Sequence, residues 1–284
     1  MDAKGTEQAM SGVIETKENS AASGERGSSH YKLLGGAAVL TVLVFWYVFT
    51  TLVPIVNTAR FPAPGEVWEA FVQVGVTGYA DAKLHQHVFQ SCRLVLLGFF
   101  AAIAIGVPLG LAMGWSRRAE ALINPVFLLV RPIPPLAWIP LAIVWLGLGD
   151  AGKVMVIWFS AFVPSVINSY TGVRSIDPYL VEAAATLGVG RSRFVLEVLV
   201  PGALPHVFTG LRLSLQASWT ALVAGELVGA LYGLGQVLNA AAQDIFAAMV
   251  MVGMISVGLC GATMTWMLGR VEKAAMPWHS RGRV

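Results

Sequence analysis

The sequence predicts an all-α membrane protein with six transmembrane helices, and composition is the first observation behind this prediction. Hydrophobic residues make up 56% of the 284 residues, charged residues only 12%, and the mean hydropathy is +0.68. Soluble domains carry roughly 25% charged residues, so this chain is too apolar for a surface that faces water all round. The second observation is a series of apolar segments, each close to the roughly 20 helical residues that cross a bilayer core. We predict a polar tail over 1–32, a transmembrane domain over 33–269 and a short basic tail over 270–284.

The amino-terminal tail and the first span are separated by a sharp change in composition. Residues 1–32 are rich in Ser, Gly, Glu and Lys and lack apolar periodicity, which predicts a disordered tail. A cleaved signal peptide is not expected, because the apolar stretch begins too late and is too long. The first span covers about 33–53. A loop over 57–90 follows, in which 66–74 is predicted as a short surface helix.

Five further apolar segments complete the predicted bundle. They cover about 94–115, 122–146, 153–172, 207–231 and 245–268. The third span contains Arg131-Pro132-Ile133-Pro134-Pro135, whose prolines remove backbone donors and forbid a regular helix there. Non-helical backbone at membrane depth persists only where protein buries it or where it lines a wet cavity. The sequence therefore predicts a broken third span.

The distribution of basic residues is the third observation, and it predicts the orientation. If the amino terminus lies in the cytoplasm, most of the 19 Lys and Arg residues fall in cytoplasmic segments. The opposite topology would invert this bias, which contradicts the positive-inside rule. We therefore expect both termini, and the loop over 174–206, to lie in the cytoplasm.

The loop over 174–206 begins with signals for a short capped helix. Asp177 can cap free backbone N–H groups, and the ring of Pro178 already holds a helical φ. Residues 179–187 are predicted to be helical, and Gly188 stands where a left-handed cap needs no Cβ. These signals predict a short helix with defined ends within the polar loop.

The second half of this loop is predicted as one or two amphipathic turns over 191–199, stopped by Pro201. Three alanines, at 183–185, give the first helix a nearly flat face against which another protein could pack closely. From spacing alone, a simple connection between two longer helices is an equally good interpretation.

A motif within this loop resembles the EAA loop of ABC importer permeases. It comprises Glu182-Ala183-Ala184, then Gly188, and then Val198-x-Val200-Pro201. The resemblance implies a coupling helix that docks into a groove of a cytoplasmic ATPase. Its coupling residues would be Glu182, Ala183, Ala184, Gly188 and Pro201. The usual Ile and Leu before the proline are both Val in this chain, which is a conservative difference.

Beyond that loop, the sequence is similar to the nitrate/sulfonate/taurine branch of these permeases, and most similar to the taurine permeases. The similar segments include Phe61-Pro-Ala-Pro64, Trp145-Leu-Gly-Leu-Gly149 and Pro277-Trp278-His279. The resemblance implies a bacterial inner-membrane subunit that is not an enzyme and has no nucleotide site or cofactor of its own. Its expected partners are a second permease copy, an ATPase dimer that binds ATP and Mg²⁺, and an extracytoplasmic substrate-binding protein. No nucleic-acid partner is expected.

The resemblance implies a small organic anion as cargo, with taurine or another aliphatic sulfonate expected first. Nitrate, bicarbonate or an aromatic carboxylate such as phthalate are alternatives for the same machinery. A membrane enzyme or an ion-driven secondary transporter is a more distant alternative. The sequence contains neither the internal repeat nor the ion-site carboxylates expected of such a transporter.

Two charged residues within spans, Arg131 and Glu226, are the candidates for the transport pathway. A charge at membrane depth is costly and points to function by default. Arg131 could attract an anionic substrate into the pathway. Alternatively, Arg131 could pair with Glu226 or bind the carbonyl groups that the neighbouring prolines leave free.

Two other patterns carry little functional signal. The stretch from Gly147 to Val154 nearly matches a P-loop, but Val154 stands where Mg²⁺ binding needs Ser or Thr. We interpret it as a tight turn between spans. His85 and His87 could form only a weak metal pair, and no carboxylate or cysteine cluster accompanies them in the sequence. We predict interfacial histidines and no metal site.

Small residues predict close packing of the second span. Gly106, Gly110 and Gly114 form a ridge at helical spacing, and we expect it to pack within one subunit rather than between two. Cys92 and Cys260 lie far apart in the sequence, within apolar segments. They predict packed thiols and no disulfide framework.

Overall fold

A computed structural model describes residues 34–52, 61–229 and 231–278 of the chain. The predicted tail over 1–32 and residues 279–284 lie outside the described residues. The described residues are helical apart from short turns and one isolated bridge between Tyr79 and Ala82. The helices are α1 (Leu34–Thr51), α2 (Pro64–Val76), α3 (Leu84–Trp115), α4 (Arg117–Val130), α5 (Ile139–Leu146), α6 (Asp150–Arg174), α7 (Pro178–Thr186), α8 (Arg191–Gly229), α9 (Leu234–Gln243) and α10 (Ala247–Ala275).

Five of these helices, α1, α3, α6, α8 and α10, are long and apolar enough to cross a membrane. A sixth candidate span consists of Arg117–Val130 and Pro135–Leu146, which bend by 83° at the break between them. The all-α membrane fold is therefore confirmed, with five candidate spans, or six if the bent pair forms one span. The chain divides into two compact units, Met1–Glu66 and Val67–Val284. In the first unit, the Trp46 indole donates a hydrogen bond to the Pro62 carbonyl at 3.0 Å.

Helix α3 begins ten residues earlier than the sequence predicted, at Leu84 rather than residue 94. Its first turn is stabilised by the Gln86 side chain, whose oxygen accepts a hydrogen bond from the Lys83 backbone N–H at 2.8 Å. His87, which was predicted to be interfacial, is fully buried, and so is Ser91, just after the predicted loop. Because other parts of the chain satisfy these side chains, a polar stretch continues the helix instead of ending it.

The proline-rich break in the third span has the predicted form. Helix α4 ends at Val130, and the Arg131 backbone N–H still donates to the Phe127 carbonyl at 2.9 Å. The prolines that follow cannot donate, so the helical ladder stops. A 3₁₀ turn over Pro135–Trp138 then leads into α5.

Helix α6 lies between α3 and α8 and is the centre of the bundle. The glycine ridge of α3 faces α6, and a Cβ on Gly110 would lie only 2.4 Å from the Val166 carbonyl oxygen. Gly106 and Gly114 approach α6 similarly, while Gly210 of α8 approaches it from the other side. The prediction that this ridge packs within one subunit is confirmed.

An apolar core forms where α3, α6 and α8 meet. Ile157 and Leu222 are fully buried there, and Trp219 packs beside them. Cys92 and Cys260 both pack against this cluster, and both thiols are free. Two cysteines that are distant in sequence are thus neighbours of one core, as packed thiols.

Pro201 does not stop the helix that precedes it, so this part of the prediction is wrong. Residues Val195–Leu199 form a π-helical turn, and the Val200 backbone N–H donates to the Val195 carbonyl. Widening the turn just before a proline accommodates a residue that lacks a donor and crowds the preceding turn. Helix α8 therefore runs without interruption over Arg191–Gly229.

Helix α9 was not predicted. It is a ten-residue helix between α8 and α10, and its apolar face is buried, including Leu234, Val237 and Ala241. These residues lie between the predicted fifth and sixth spans, 207–231 and 245–268, where no element was predicted. Their burial shows that the connection is part of the packed bundle.

Candidate functional site

Helix α7, in the predicted coupling loop, begins with the cap that the sequence indicates. The Asp177 side-chain oxygen accepts a hydrogen bond from the Tyr179 backbone N–H at 2.9 Å, and Pro178 occupies the first helical position. The cap satisfies one backbone donor that a helix start otherwise leaves free. The start of α7 is therefore fixed by local chemistry.

The end of α7 is a Schellman cap centred on Gly188. The Gly188 N–H donates to the Ala185 carbonyl and the Val189 N–H to the Ala184 carbonyl, both at 3.1 Å. Gly188 has φ +68°, in the left-handed region, and a Cβ placed on it would meet no atom within 4 Å. Glycine is thus required at this position by its backbone conformation, and not by lack of space.

The three residues of the EAA motif differ in their exposure. Glu182 and Ala183 are exposed, whereas Ala184 is buried within its own chain. Ala184 therefore does not belong to the flat outward face that the sequence predicted. Its burial follows from the helical period, which turns adjacent residues to different sides of α7.

Helix α7 exposes large apolar side chains to solvent. Tyr179 is 77% exposed and Leu187 is 80% exposed, and Leu180 and Val181 are exposed between them. A short surface helix ordinarily turns such residues inward. Several large apolar side chains exposed on one capped, polar-flanked loop are typical of a surface that another protein covers.

The loop is anchored to the ends of several spans. Glu120 of α4 accepts a 2.5 Å hydrogen bond from the Tyr170 hydroxyl and forms an ion pair with Arg174, both on α6. Phe194 at the start of α8 packs against Trp115 at the end of α3, with ring centroids 5.0 Å apart. These contacts tie the segments that flank α7 to the ends of α3, α4, α6 and α8.

A cavity of about 700 Å³ opens between α8 and α10. One side of it carries Arg212, Gln216 and Thr220, which are spaced four residues apart along α8 and are all exposed. Residues at this spacing lie on one face of a helix. Polar side chains on a membrane-spanning helix are expected to face a wet pathway or another subunit, since lipid would leave them unsatisfied.

This polar face was not predicted, although the four-residue spacing of Arg212, Gln216 and Thr220 in the sequence was a visible signal. In the structure Arg212 forms an ion pair with Glu272 of α10. Trp219 also lines the cavity, and its buried indole N–H has no hydrogen-bond partner among the described residues.

Arg131 and Glu226, the two predicted pathway residues, do not pair with each other. Arg131 is exposed at the proline break, and the described residues provide its side chain with no ion pair. The alternative in which Glu226 neutralises Arg131 is therefore wrong. Arg131 remains a candidate for the pathway.

Glu226 is fully buried and is bound on several sides by its own chain. The Ser91 hydroxyl of α3 donates to one carboxylate oxygen at 2.8 Å, and the Gly235 backbone N–H donates to the other at 2.7 Å. Ser91 in turn accepts a hydrogen bond from the Leu234 backbone N–H at 2.9 Å. Glu226 and Ser91 thus cap α9 from two other helices, and this geometry favours a structural role for Glu226 over contact with substrate.

His87 completes the same network from α3. Its Nδ1 atom accepts a hydrogen bond from the Gly233 backbone N–H at 2.9 Å, so this nitrogen carries no proton. Its Nε2 atom lies 2.9 Å from the Tyr79 carbonyl and 3.2 Å from the Ala82 carbonyl, which can only accept. His87 is therefore a neutral, Nε2-protonated imidazole, and both of its nitrogens are engaged in holding loops together.

The segment that nearly matches a P-loop is a tight turn between two helices. Helix α5 precedes it and α6 begins at Asp150, whereas a P-loop joins a strand to a helix. Gly147 has φ +76°, and a Cβ on Gly152 would lie 2.9 Å from the Gly147 carbonyl oxygen. The two glycines permit this turn, as the sequence analysis predicted.

Comparison with known proteins identifies the family. The model of the family described as "Binding-protein-dependent transport system inner membrane component" matches residues 102–276, which is more than half of the chain. This chain belongs to that family. The predicted class of multi-span inner-membrane permease is thereby confirmed.

Relatives of the permease place it in the taurine, sulfonate and nitrate branch. It is 34% identical to the taurine transport system permease protein TauC of Escherichia coli (strain K12), over 87% of this chain and 89% of the relative. It is 29% identical to the putative aliphatic sulfonates transport permease protein SsuC of Bacillus subtilis (strain 168), over 89% of this chain and 91% of the relative. It is 28% identical to the nitrate import permease protein NrtB of Synechocystis sp. (strain ATCC 27184 / PCC 6803 / Kazusa), over 84% of this chain and 88% of the relative.

A solved structure supports the fold of the permease independently. A chain of the MetNI methionine ABC transporter, in an inward-facing conformation, superposes with a TM-score of 0.60 and 20% sequence identity. The match covers 67% of this chain and 95% of the MetNI chain. At this level of identity the likeness concerns the fold alone.

Proposed function

We propose that this chain is the permease subunit of an ATP-driven importer for a small organic anion, taurine or another aliphatic sulfonate. Two copies would form the translocation pathway in the bacterial cytoplasmic membrane, with both termini in the cytoplasm. An extracytoplasmic binding protein would deliver the substrate. ATP and Mg²⁺ would be bound by an ATPase dimer, so the permease would catalyse no bond chemistry.

The observation that carries this proposal is the exposed apolar surface of α7 on a loop that is both capped and anchored. Tyr179 and Leu187 extend from a helix whose ends are fixed at Asp177 and Gly188. A rigid surface of this kind suits a docking element that transmits force, because little motion is lost within the loop itself. We assign the loop over 174–206 as the ATPase-coupling element.

The proposed mechanism is alternating access. Closure of the ATPase dimer would push on α7, and the contact of Phe194 with Trp115 would pass the displacement to α8 and α3. The polar face of Arg212, Gln216 and Thr220 would line the pathway that these helices open and close. Arg131, at the proline break, would attract the anion.

The experiment that tests this function is uptake of labelled taurine by cells with and without the gene, with nitrate and phthalate measured in parallel. Loss of taurine uptake on deletion is the expected result. Loss of nitrate or phthalate uptake instead would mean that the chain is an importer subunit for a different anion. An ATPase-deficient partner should abolish uptake, and uptake that continues on an ion gradient alone would refute the ABC importer.

Nitrate and bicarbonate are the second candidate class of cargo. The chain is 30% identical to the bicarbonate transport system permease protein CmpB of Synechococcus elongatus (strain ATCC 33912 / PCC 7942 / FACHB-805), over 81% of this chain and 84% of the relative. The identity to the taurine permease is higher and covers more of the chain. Taurine is therefore the cargo to test first.

A further inference from the structure

A second cavity, of about 560 Å³, lies at the end of the bundle opposite the coupling loop. Its position follows from the helices: Gln90, near the start of α3, donates a 2.8 Å hydrogen bond to Asp150 at the start of α6. The opposite ends of these two helices contact or lead into the coupling loop. The polar lining comprises Asp81, His85, Gln86, Gln90, Arg93 and Tyr232.

The cavity contains a carboxylate and a guanidinium that are not paired with each other. Arg93 lies 3.8 Å from Asp150, which is long for a hydrogen bond, and its side chain is 56% exposed. Most of the five N–H donors of a guanidinium are therefore available. Asp81 is exposed and forms no ion pair with any described residue.

Amide groups add further donors beside these charges. The Gln86 oxygen accepts a hydrogen bond from the Lys83 backbone, which orients the side chain and leaves its NH₂ group free to donate. Gln90 is also held in place, because its NH₂ group donates to Asp150. The lining thus combines the Arg93 guanidinium and the free Gln86 amide with the Asp81 carboxylate.

The loop that carries Asp81 has a strained backbone. Ala80 has φ +51° and Asp81 has φ +64°, and Ile245, in the neighbouring loop, has φ +55°. The two loops are joined by the Tyr79 hydroxyl, which donates a 2.5 Å hydrogen bond to Asp244. Non-glycine residues at positive φ persist only where surrounding contacts hold them, and such residues concentrate at functional sites.

We propose that this cavity is a binding site for a small zwitterion that carries a sulfonate and an ammonium group. Arg93 and the Gln86 amide bind the sulfonate oxygens, and Asp81 binds the ammonium group. The guanidinium suits an oxyanion because its N–H groups form charge-assisted hydrogen bonds in a fixed plane. A carboxylate would repel an inorganic anion such as nitrate, so Asp81 selects for an aminosulfonate.

This inference rests on the proposed function and assigns part of its substrate specificity to the permease itself. The substrate would meet the site at the mouth of the bundle, before the cavity between α8 and α10. The binding protein would then not be the sole determinant of cargo. The site therefore makes a prediction about selectivity that is separate from the prediction of transport.

The test uses the assembled permease–ATPase complex in lipid nanodiscs without binding protein, and measures equilibrium binding of labelled taurine. Ethanesulfonate, which lacks the amine, serves as a competitor. We expect Asp81→Asn to weaken taurine binding about tenfold, the loss of one charge-assisted contact, and to strengthen competition by ethanesulfonate, which the carboxylate no longer repels. Arg93→Gln should weaken the binding of both taurine and ethanesulfonate. Arg93→Lys, which keeps the positive charge, should weaken it less.

Two features of the design keep the result interpretable. Asparagine adopts the left-handed conformation readily, so Asp81→Asn removes the charge without adding backbone strain. Glu69→Gln removes an exposed carboxylate from α2, outside the lining of the cavity, and should leave taurine binding unchanged.

Each outcome either supports the site or overturns it. Taurine bound equally by wild type and both charge-removing variants would overturn the site and leave the proposed function intact. A second measurement adds the binding protein to the same nanodiscs and follows ATP hydrolysis. Variants that lose this stimulation but bind taurine normally would identify the cavity as a protein-docking surface and overturn the small-molecule site. A wild-type complex that neither binds nor transports a sulfonate would refute the inference and the proposed cargo together.

Discussion

Gly188 offers the sharpest test of the coupling loop, because glycine is needed there for its backbone conformation and not to avoid a side-chain contact. Its φ of +68° lies in the left-handed region, yet a Cβ there would meet nothing within 4 Å. A substitution therefore changes the backbone preference without creating a clash. The left-handed region costs an ordinary residue roughly 1–2 kcal/mol.

This cost predicts a graded series. A penalty of 1–2 kcal/mol lowers the population of the capped conformation about five- to thirtyfold relative to its competitors. Gly188→Val should pay a penalty at the upper end of this range, because β-branched residues are rare at positive φ. Gly188→Asn should keep a population of the capped conformation close to that of wild type. Gly190→Asn is the matched control, since Gly190 has an ordinary φ of −62°, precedes a helix where Asn is a favourable cap, and has open space around it.

The assay measures ATP hydrolysis and substrate uptake by the same reconstituted complexes. In Gly188→Val we expect normal membrane insertion, continued ATP hydrolysis and a loss of uptake per ATP that follows the backbone penalty. Gly188→Asn and the Gly190→Asn control should stay coupled. Normal uptake per ATP in Gly188→Val would refute the role of the cap. An equal loss of uptake per ATP in Gly190→Asn would mean that any change in this loop uncouples ATP hydrolysis from uptake.

Three further predictions follow from the packed bundle. Glu226→Ala leaves the Gly235 N–H and the Ser91 hydroxyl without their acceptor, so thermal unfolding of the purified complex should show a loss of about 1–3 kcal/mol. Arg131→Gln should assemble normally, because Arg131 has no ion pair among the described residues, and should lower anion uptake in cells; failure to assemble would contradict the pathway role. Burial, with the hydrogen bond and charge of Asp244, raises the pKa of Tyr79. A raised pKa means that protonated Tyr79 contributes its full stability below about pH 10, the ordinary tyrosine value, and that this contribution is lost at higher pH. The stability difference between wild type and Tyr79→Phe, followed by chemical unfolding, should therefore be constant from pH 7 to 9 and shrink above pH 10; a difference that grows there would contradict the assignment.

The coupling loop shows how far local sequence signals can define a candidate site. Asp177, Pro178 and Gly188 act on backbone groups within a few residues of themselves, so their effects did not depend on the rest of the fold. Pro201 failed as a stop signal because the π-helical turn over Val195–Leu199 accommodates a residue without a backbone donor, and α8 continues past it.

Residues whose roles depend on distant partners could not be assigned from sequence. His87 was placed in a loop, as an interfacial histidine, and Ser91 lies outside the predicted second span. In the structure they bind the backbone of residues 233 and 234, about 140 positions away in the chain. The same network made Glu226 a structural residue, although its charge within a span pointed to the pathway.

The sequence by itself determined the membrane class, the spans to within a few turns, the proline break and the caps of α7. These features depend on apolar composition, helical rise and backbone geometry, all of which act over short stretches of chain. Only the tertiary structure decided where α3 begins, how α8 passes Pro201, and which polar residues face a cavity and which are sealed in the core. A polar side chain in a membrane-spanning helix has no fixed meaning until its partners are known, because burial with hydrogen bonds and exposure to a wet cavity both satisfy it.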